Sequence, residues 1–195
     1  MRQQILLRLK AIEKERGIKI LYACESGSRA WGFPSADSDY DVRFIYLHPV
    51  EWYLSIRKKR DVIEYPPEDL LDVRGWDLPK ALSLLRKSNA SLLEWLGSPI
   101  VYQEKYSIAS QMRKLASRYF SPTSSLLNYF NIAHRNYTSY LQGDMVWRKK
   151  YLYALRSVLA MQWLTQGRGL VPTEFMTLVD ELVRDKELYR DIQFL

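Results

Sequence analysis

The chain of 195 residues carries a formal net charge of +7, with 47% hydrophobic and 26% charged residues. That balance suits a folded chain of one domain, or one domain with a small appendage, and excludes disordered, collagen-like and linker-like classes. The basic surplus fits an anionic partner such as a nucleotide or a nucleic acid.

The nearly apolar run Tyr151 to Leu164 contains Arg156 and is too short to cross a bilayer. The N-terminal stretch has only Ile5-Leu6-Leu7 as an apolar segment and does not read as a signal peptide, so a cytoplasmic chain off the membrane is expected. Cys24 is the single cysteine, which excludes an intramolecular disulfide. With two histidines besides, His48 and His134, no Cys/His zinc cage can be assembled. Any metal falls to carboxylates, which favours a hard ion.

In chain order, Ile5, Leu6, Leu9 and Ile12 share one face of a helix over 2–15, stopped by Gly17. Ile18 to Cys24 reads as a buried strand. A loop rich in Gly, Ser, Pro and Asp follows from Glu25 to Ser38. Tyr40 to His48 has the β-branched and aromatic content of a second strand. A short helix is expected over 50–56, then the basic cluster Arg57 to Arg60. Strands are predicted over 62–65 and 70–76, with Pro66-Pro67 turning the chain between them. Asp77 caps a helix carrying Leu78, Leu82 and Leu85, and a short helix over 91–96 ends at Gly97. Helices are predicted over 106–119, 122–142, 146–166 and 172–184, and a helical pattern still runs at Asp191 to Leu195. The expected class is α+β: a mixed sheet flanked by helices over 1–100, then a helical bundle over 101–195.

One stretch concentrates the chemistry. Gly27-Ser28 follows the first strand, ten residues intervene, and Asp39-Tyr40-Asp41 opens the second strand. Residues two apart on a strand share a face, so Asp39 and Asp41 form a carboxylate pair that a divalent cation would hold ionised. A Gly-Ser turn lets backbone N–H groups approach a phosphate, and a following helix N-terminus adds favourable charge. A further carboxylate is wanted on a neighbouring strand. Asp72, flanked by Leu71 and Val73, fits best; Glu64 is next, and Asp77 reads mainly as a helix cap.

The string ESGSRAWGF…DSDYDVRFIY, with LDVRGWDLPKAL downstream, resembles the DNA polymerase beta-like nucleotidyltransferases. The branch it resembles holds predicted bacterial and phage enzymes, some linked to RNA repair. The match is close over about residues 20–100 and weaker at KKYLYALR, residues 149–156. The resemblance implies a nucleotidyltransferase-type sheet, an NTP donor and Mg²⁺ or Mn²⁺. It makes Gly27 and Ser28 the phosphate contacts, Asp39 and Asp41 metal ligands, and Asp72 the third catalytic and metal-binding acid. Acceptors in view are an RNA end or other nucleic acid, a small molecule or a protein hydroxyl.

Two other readings use the same fold: a non-catalytic nucleic-acid-binding module, and an antitoxin-like interaction protein. Lys149, Tyr153 and Arg156 fall within one helical arc and are expected to face the nucleotide, whose phosphates Arg29 also touches unless it is simply exposed. Trp31, Phe33 and Trp76 read as core or wall residues, Cys24 as a small buried hydrophobe, and Arg43 as the partner of a sheet acid. Lys80 reads as a surface lysine and His134 as a capping or core histidine.

Overall fold

The computed structural model describes residues 1–57, 59–66 and 70–194. Lys58 of the basic cluster, Pro67 of the predicted turn and Leu195 lie outside the described residues. The chain begins with α1 (Arg2–Arg16), whose Ile5, Leu9 and Ile12 are buried and whose end is marked by Gly17 at φ 59°. The strands are β1 (Lys19–Ser26), β2 (Tyr40–Leu47), β3 (Val62–Glu64), β4 (Leu71–Asp77) and β5 (Val101–Glu104). Between them lie α2 (Gly27–Trp31), α3 (Val50–Tyr53), α4 (Leu78–Arg86) and α5 (Ala90–Leu96). The helices α6 (Ile108–Tyr119), α7 (Pro122–Tyr140), α8 (Arg148–Thr165), α9 (Phe175–Leu182) and α10 (Lys186–Phe194) complete the fold.

The sheet runs β3-β4-β2-β1-β5, with β2 and β4 parallel and the other pairs antiparallel. This is the expected mixed sheet of an α+β protein. Alternation along the strands sends Val42, Phe44 and Tyr46 to one face, where they meet Ile5, Leu9 and Ile12 of α1. Ile45, Tyr22 and Cys24 face the other way, onto α4, α5 and α6. Trp76 stacks on Trp95 in that second layer at 3.7 Å between centroids, as a wall residue should. Cys24 is fully buried there, and burial pushes its thiol up to about 12.

Three elements differ from the sequence reading. The expected loop from Glu25 starts later, because β1 runs on through Ser26 and α2 follows at once. β5 has only four residues and no clean alternation, so its strand character comes from pairing with β1. It lies past residue 100 yet belongs to the same sheet. α10, whose end had registered only as a helical pattern, buries Ile192 against α8 and α9.

Parallel pairing sets Phe44 beside Gly75, where a side chain would have no room. A Cβ at Gly75 would lie 2.2 Å from Phe44 Cε2, and Phe44 is wholly buried. Gly75→Ala is therefore expected to destabilise by ~1–3 kcal/mol through overpacking. At ~2–4 °C per kcal/mol for a chain of this size, calorimetry should record a Tm several degrees lower. An unchanged Tm would mean that Phe44 has another rotamer to retreat into.

Candidate active site

The site forms where β2 and β4 begin, on the sheet face that carries α4 to α6. Register places Asp41 opposite Asp72 and Arg43 opposite Arg74 on the two parallel strands. Asp41 and Arg43 are two apart, so acid and base share one face. The Arg43 guanidinium lies between the acids: its Nη2 donates to Asp41 Oδ1 at 2.6 Å and to Asp72 Oδ2 at 2.8 Å. Arg74 Nε takes the other Asp72 oxygen at 3.2 Å. Arg43 thus pairs with sheet acids as its sequence position suggested. Among the described residues, no three acidic, histidine or cysteine side chains are gathered as a ready metal-binding group.

Burial pushes Asp41 up; Arg43 opposes this, while the charges of Asp72 and Asp39 add to it. Burial acts on Asp72 too, but its Arg43 hydrogen bond and the charges of Arg43 and Arg74 outweigh it and hold Asp72 below the usual carboxylate range. Asp39 sits exposed just before β2. Asp41 Oδ2 faces the bare backbone of Gly27: a Cβ there would meet it at 2.1 Å, and φ is +61°. Glycine is required at this position on both counts.

Sequence reasoning missed Glu25. It is completely buried at the end of β1, where Oε1 accepts from the Asp41 backbone N–H at 2.7 Å and Oε2 accepts from the Tyr102 hydroxyl. The strand that carries Cys24 therefore also fixes the height of Asp41 in the sheet. Only the position of Glu25 immediately before Ser26-Gly27 hinted at this. Of the other two candidate acids, Glu64 lines the same cleft as Gly27, Asp41 and Arg43, and Asp77 stands apart. Glu64 is exposed on β3 and paired with Arg60, while Asp77 is buried and accepts from the Tyr53 hydroxyl at 2.5 Å.

The loop between Gly27 and Asp39 is held from within. Ser28 is buried and its hydroxyl donates to Ser38 Oγ at 3.1 Å. Arg29 donates to the Ser38 and Asp39 carbonyl oxygens and lies over Tyr40 at 3.8 Å. Its guanidinium braces the loop that presents Asp39. Lys80 is tied to Asp61, and His134 is exposed and stacked on Phe130, neither a cap nor a core residue.

The arc on α8 splits by depth. Lys149 Nζ donates to Ser38 Oγ at 3.3 Å. Tyr153 packs edge-on against Trp31 at 4.8 Å, and burial followed by the Asp41 charge pushes its hydroxyl up to about 12. Arg156 borders the same cleft of about 380 Å³ as Gly27, Asp41 and Tyr153, but its charge is already matched. It is 2% exposed and donates to Glu94 Oε1 at 2.6 Å and to the Pro172 and Thr173 carbonyls. It also lies over Trp31 at 4.6 Å. The expectation that it offers charge to a nucleotide gives way to an internal pair, because α5 brings Glu94 onto it.

A model of the RNA repair pathway DNA polymerase beta family matches residues 1–195. The chain is 53% identical over 195 residues to the uncharacterized protein YcgL of Bacillus subtilis (strain 168), covering all of this chain and 75% of that one. A nucleotidyltransferase-like protein from Exiguobacterium sibiricum 255-15, known from a crystal structure, is 14% identical with a TM-score of 0.36. That alignment covers 93% of this chain and 63% of the other, so this chain spans less than two-thirds of its length.

Two outcomes follow for the supporting groups. Arg156→Met leaves Glu94 buried and unpaired and should cost about 3–5 kcal/mol; adding Glu94→Gln should recover much of it. Denaturant melts of the single and double variants measure the coupling, and additive losses would contradict it. Burial also pushes Glu25 up despite its bonds to Tyr102 and the Asp41 N–H. A raised folded pKa makes the protonated form the stabilising one, present below the unfolded value of 4.5 and lost as pH rises through the folded one. Glu25→Gln keeps an acceptor for the Asp41 N–H and presents its amide to the Tyr102 oxygen. It should melt no lower than wild type at pH 7, with any advantage shrinking on acidification. A clearly lower Tm at pH 7 would show that the ionised carboxylate is worth more than its burial costs.

Proposed function

We propose, on the premise that this chain belongs to the RNA repair pathway DNA polymerase beta family, that it moves a nucleoside monophosphate from an NTP to a hydroxyl acceptor. The single observation that carries the reading is the parallel register setting Asp41 opposite Asp72, with the second Asp41 oxygen turned to the Gly27 backbone. Few structural roles require a glycine and a half-buried carboxylate at that separation.

Asp39 and Asp41 would hold a hard divalent ion, since burial first, and then the charges of Asp72 and Asp39, oppose ionisation of Asp41 beyond what Arg43 offsets. When bound, Mg²⁺ or Mn²⁺ there would offset that repulsion and the charge gathering on the departing pyrophosphate. The chain's own residues do the positioning. The backbone at Gly27 and Ser28 approaches the triphosphate, and Lys149 adds a positive charge beside Ser38. Asp72, which Arg43 and Arg74 hold ionised and thereby make a weak base, takes the hydroxyl proton by position rather than by basicity as the oxygen attacks the α-phosphorus. The new phosphorus–oxygen bond forms as the bond to the β-phosphate bridge breaks, and pyrophosphate leaves. Most of the catalysis in such a reaction is orientation and charge neutralisation.

The test is incubation with each labelled NTP, Mg²⁺ or Mn²⁺, and candidate acceptors, followed by separation of the adduct and assay of pyrophosphate. Asp41→Asn should lower turnover on the order of 10²–10³-fold, the usual loss when one preorganised electrostatic group is removed. Without metal its Tm should be no lower than wild type, because the neutral amide escapes the cost of burial. Turnover at the wild-type rate would end the catalytic assignment of Asp41. A large fall in Tm would make it structural instead.

A further inference from the structure

α7 and α8 form a hairpin whose tip, residues 141–147, leads into Lys149, which reaches Ser38, and Lys150, which lies by the cleft-lining Tyr153. At the far end of the hairpin, Tyr129 and Ala160 are buried together. At the tip the composition inverts. Tyr140 is 48% exposed, Trp147 75% and Tyr151 45%, large aromatic surfaces that the fold leaves uncovered. Cations accompany them: Arg148, Lys149 and Lys150 open α8, while Asp144 is the one acid between Tyr140 and Tyr153. Lys150 Nζ lies 4.4 Å from the Tyr140 ring centroid and 5.4 Å from that of Tyr153. It therefore joins the outer surface to the cleft wall.

We infer that this tip is a binding platform for single-stranded nucleic acid, delivering a terminal hydroxyl to the cleft. The inference rests on the transfer reading above and names its acceptor class. Aromatic rings stack on bases of any sequence, but only where the bases are not already paired. The adjoining cations match a phosphate backbone, and their continuity through Lys150 and Lys149 leads towards Ser38 and the acids. A second copy of this chain suits the surface less well, because three consecutive cations would face their own kind with Asp144 as the one local acid.

The experiment is anisotropy of a short labelled single-stranded RNA, the same sequence as DNA, and the RNA duplex, titrated with the full chain without NTP or metal. Single strands should bind more tightly than duplex. A preference for RNA over DNA would identify RNA as the source of the acceptor, and equal binding would identify the shared base-and-phosphate chemistry. Tyr140→Ala and Trp147→Ala should each weaken binding about tenfold, within the range for losing one base–aromatic stack, with Trp147→Tyr largely restoring it. Lys150→Gln should flatten the log–log salt dependence by about 0.7, the contribution of one single-strand phosphate contact. In the binding assay the proposal is overturned by alanine variants that bind like wild type, duplex bound as tightly as single strand, or a sedimenting dimer that Trp147→Ala dissolves. Binding that obeys the expectations while no NTP supports transfer would sink the transfer reading and leave the platform standing. Transfer with platform variants unaffected would do the reverse.

Discussion

A buried ion pair links the long helix α8 to α5, which packs on the sheet. Glu94 and Arg156 come from α5 and α8, and each is almost wholly removed from water. Burial of that kind costs several kcal/mol per charge unless every polar atom finds a partner. Here each does. Glu94 Oε1 accepts from Arg156 and from the Tyr129 hydroxyl, while Oε2 accepts from the Trp31 indole. Arg156 spends its remaining donors on the Pro172 and Thr173 carbonyls. One carboxylate thus ties α2, α7 and α8 to α5, and the residues tied include the end of the short helix that starts at Gly27.

That anchoring explains how a five-residue helix keeps its place. α2 is too short to persist by itself, and its macrodipole is correspondingly slight. Trp31 fixes its far end to the pair, and Ser28 fixes its near end to Ser38. Gly27 is then held against Asp41, whose backbone is held in turn by Glu25. The position of the candidate acids is therefore set by buried carboxylates on either side, Glu25 beneath and Glu94 beyond.

The sequence made the local signals legible and left the long-range ones hidden. Gly27-Ser28 and Asp39-Tyr40-Asp41 stood out because turn chemistry and strand alternation are short-range rules. Asp72 ranked before Glu64 in the sequence because its neighbours Leu71 and Val73 betray a buried strand; parallel register sets it opposite Asp41, while Glu64 lines the same cleft. β5 was invisible because four residues acquire strand geometry only by pairing with β1. Glu25, and the internal role of Arg156, escaped for a related reason. A charged residue in a helix or strand looks solvated until the fold supplies its partner, and Tyr102 and Glu94 lie 77 and 62 residues away in the chain.

The distribution of positive charge follows from the same contacts. A net charge of +7 suggests a surface uniformly attractive to phosphates, yet the arginines nearest the acids are committed to internal partners. Arg43 and Arg74 neutralise Asp41 and Asp72, Arg29 braces the loop, and Arg156 serves Glu94. Lys149 and Lys150 meet no carboxylate among the described residues, and both stand where α8 begins, on the approach to the cleft. Fixed arginines give the site its rigidity, since each holds carboxylates or carbonyls in a set geometry. Attraction for an incoming anion falls instead to lysines on flexible stems at the rim, where screening by salt is strongest. The fold thereby separates two uses of positive charge that composition alone merges into one number.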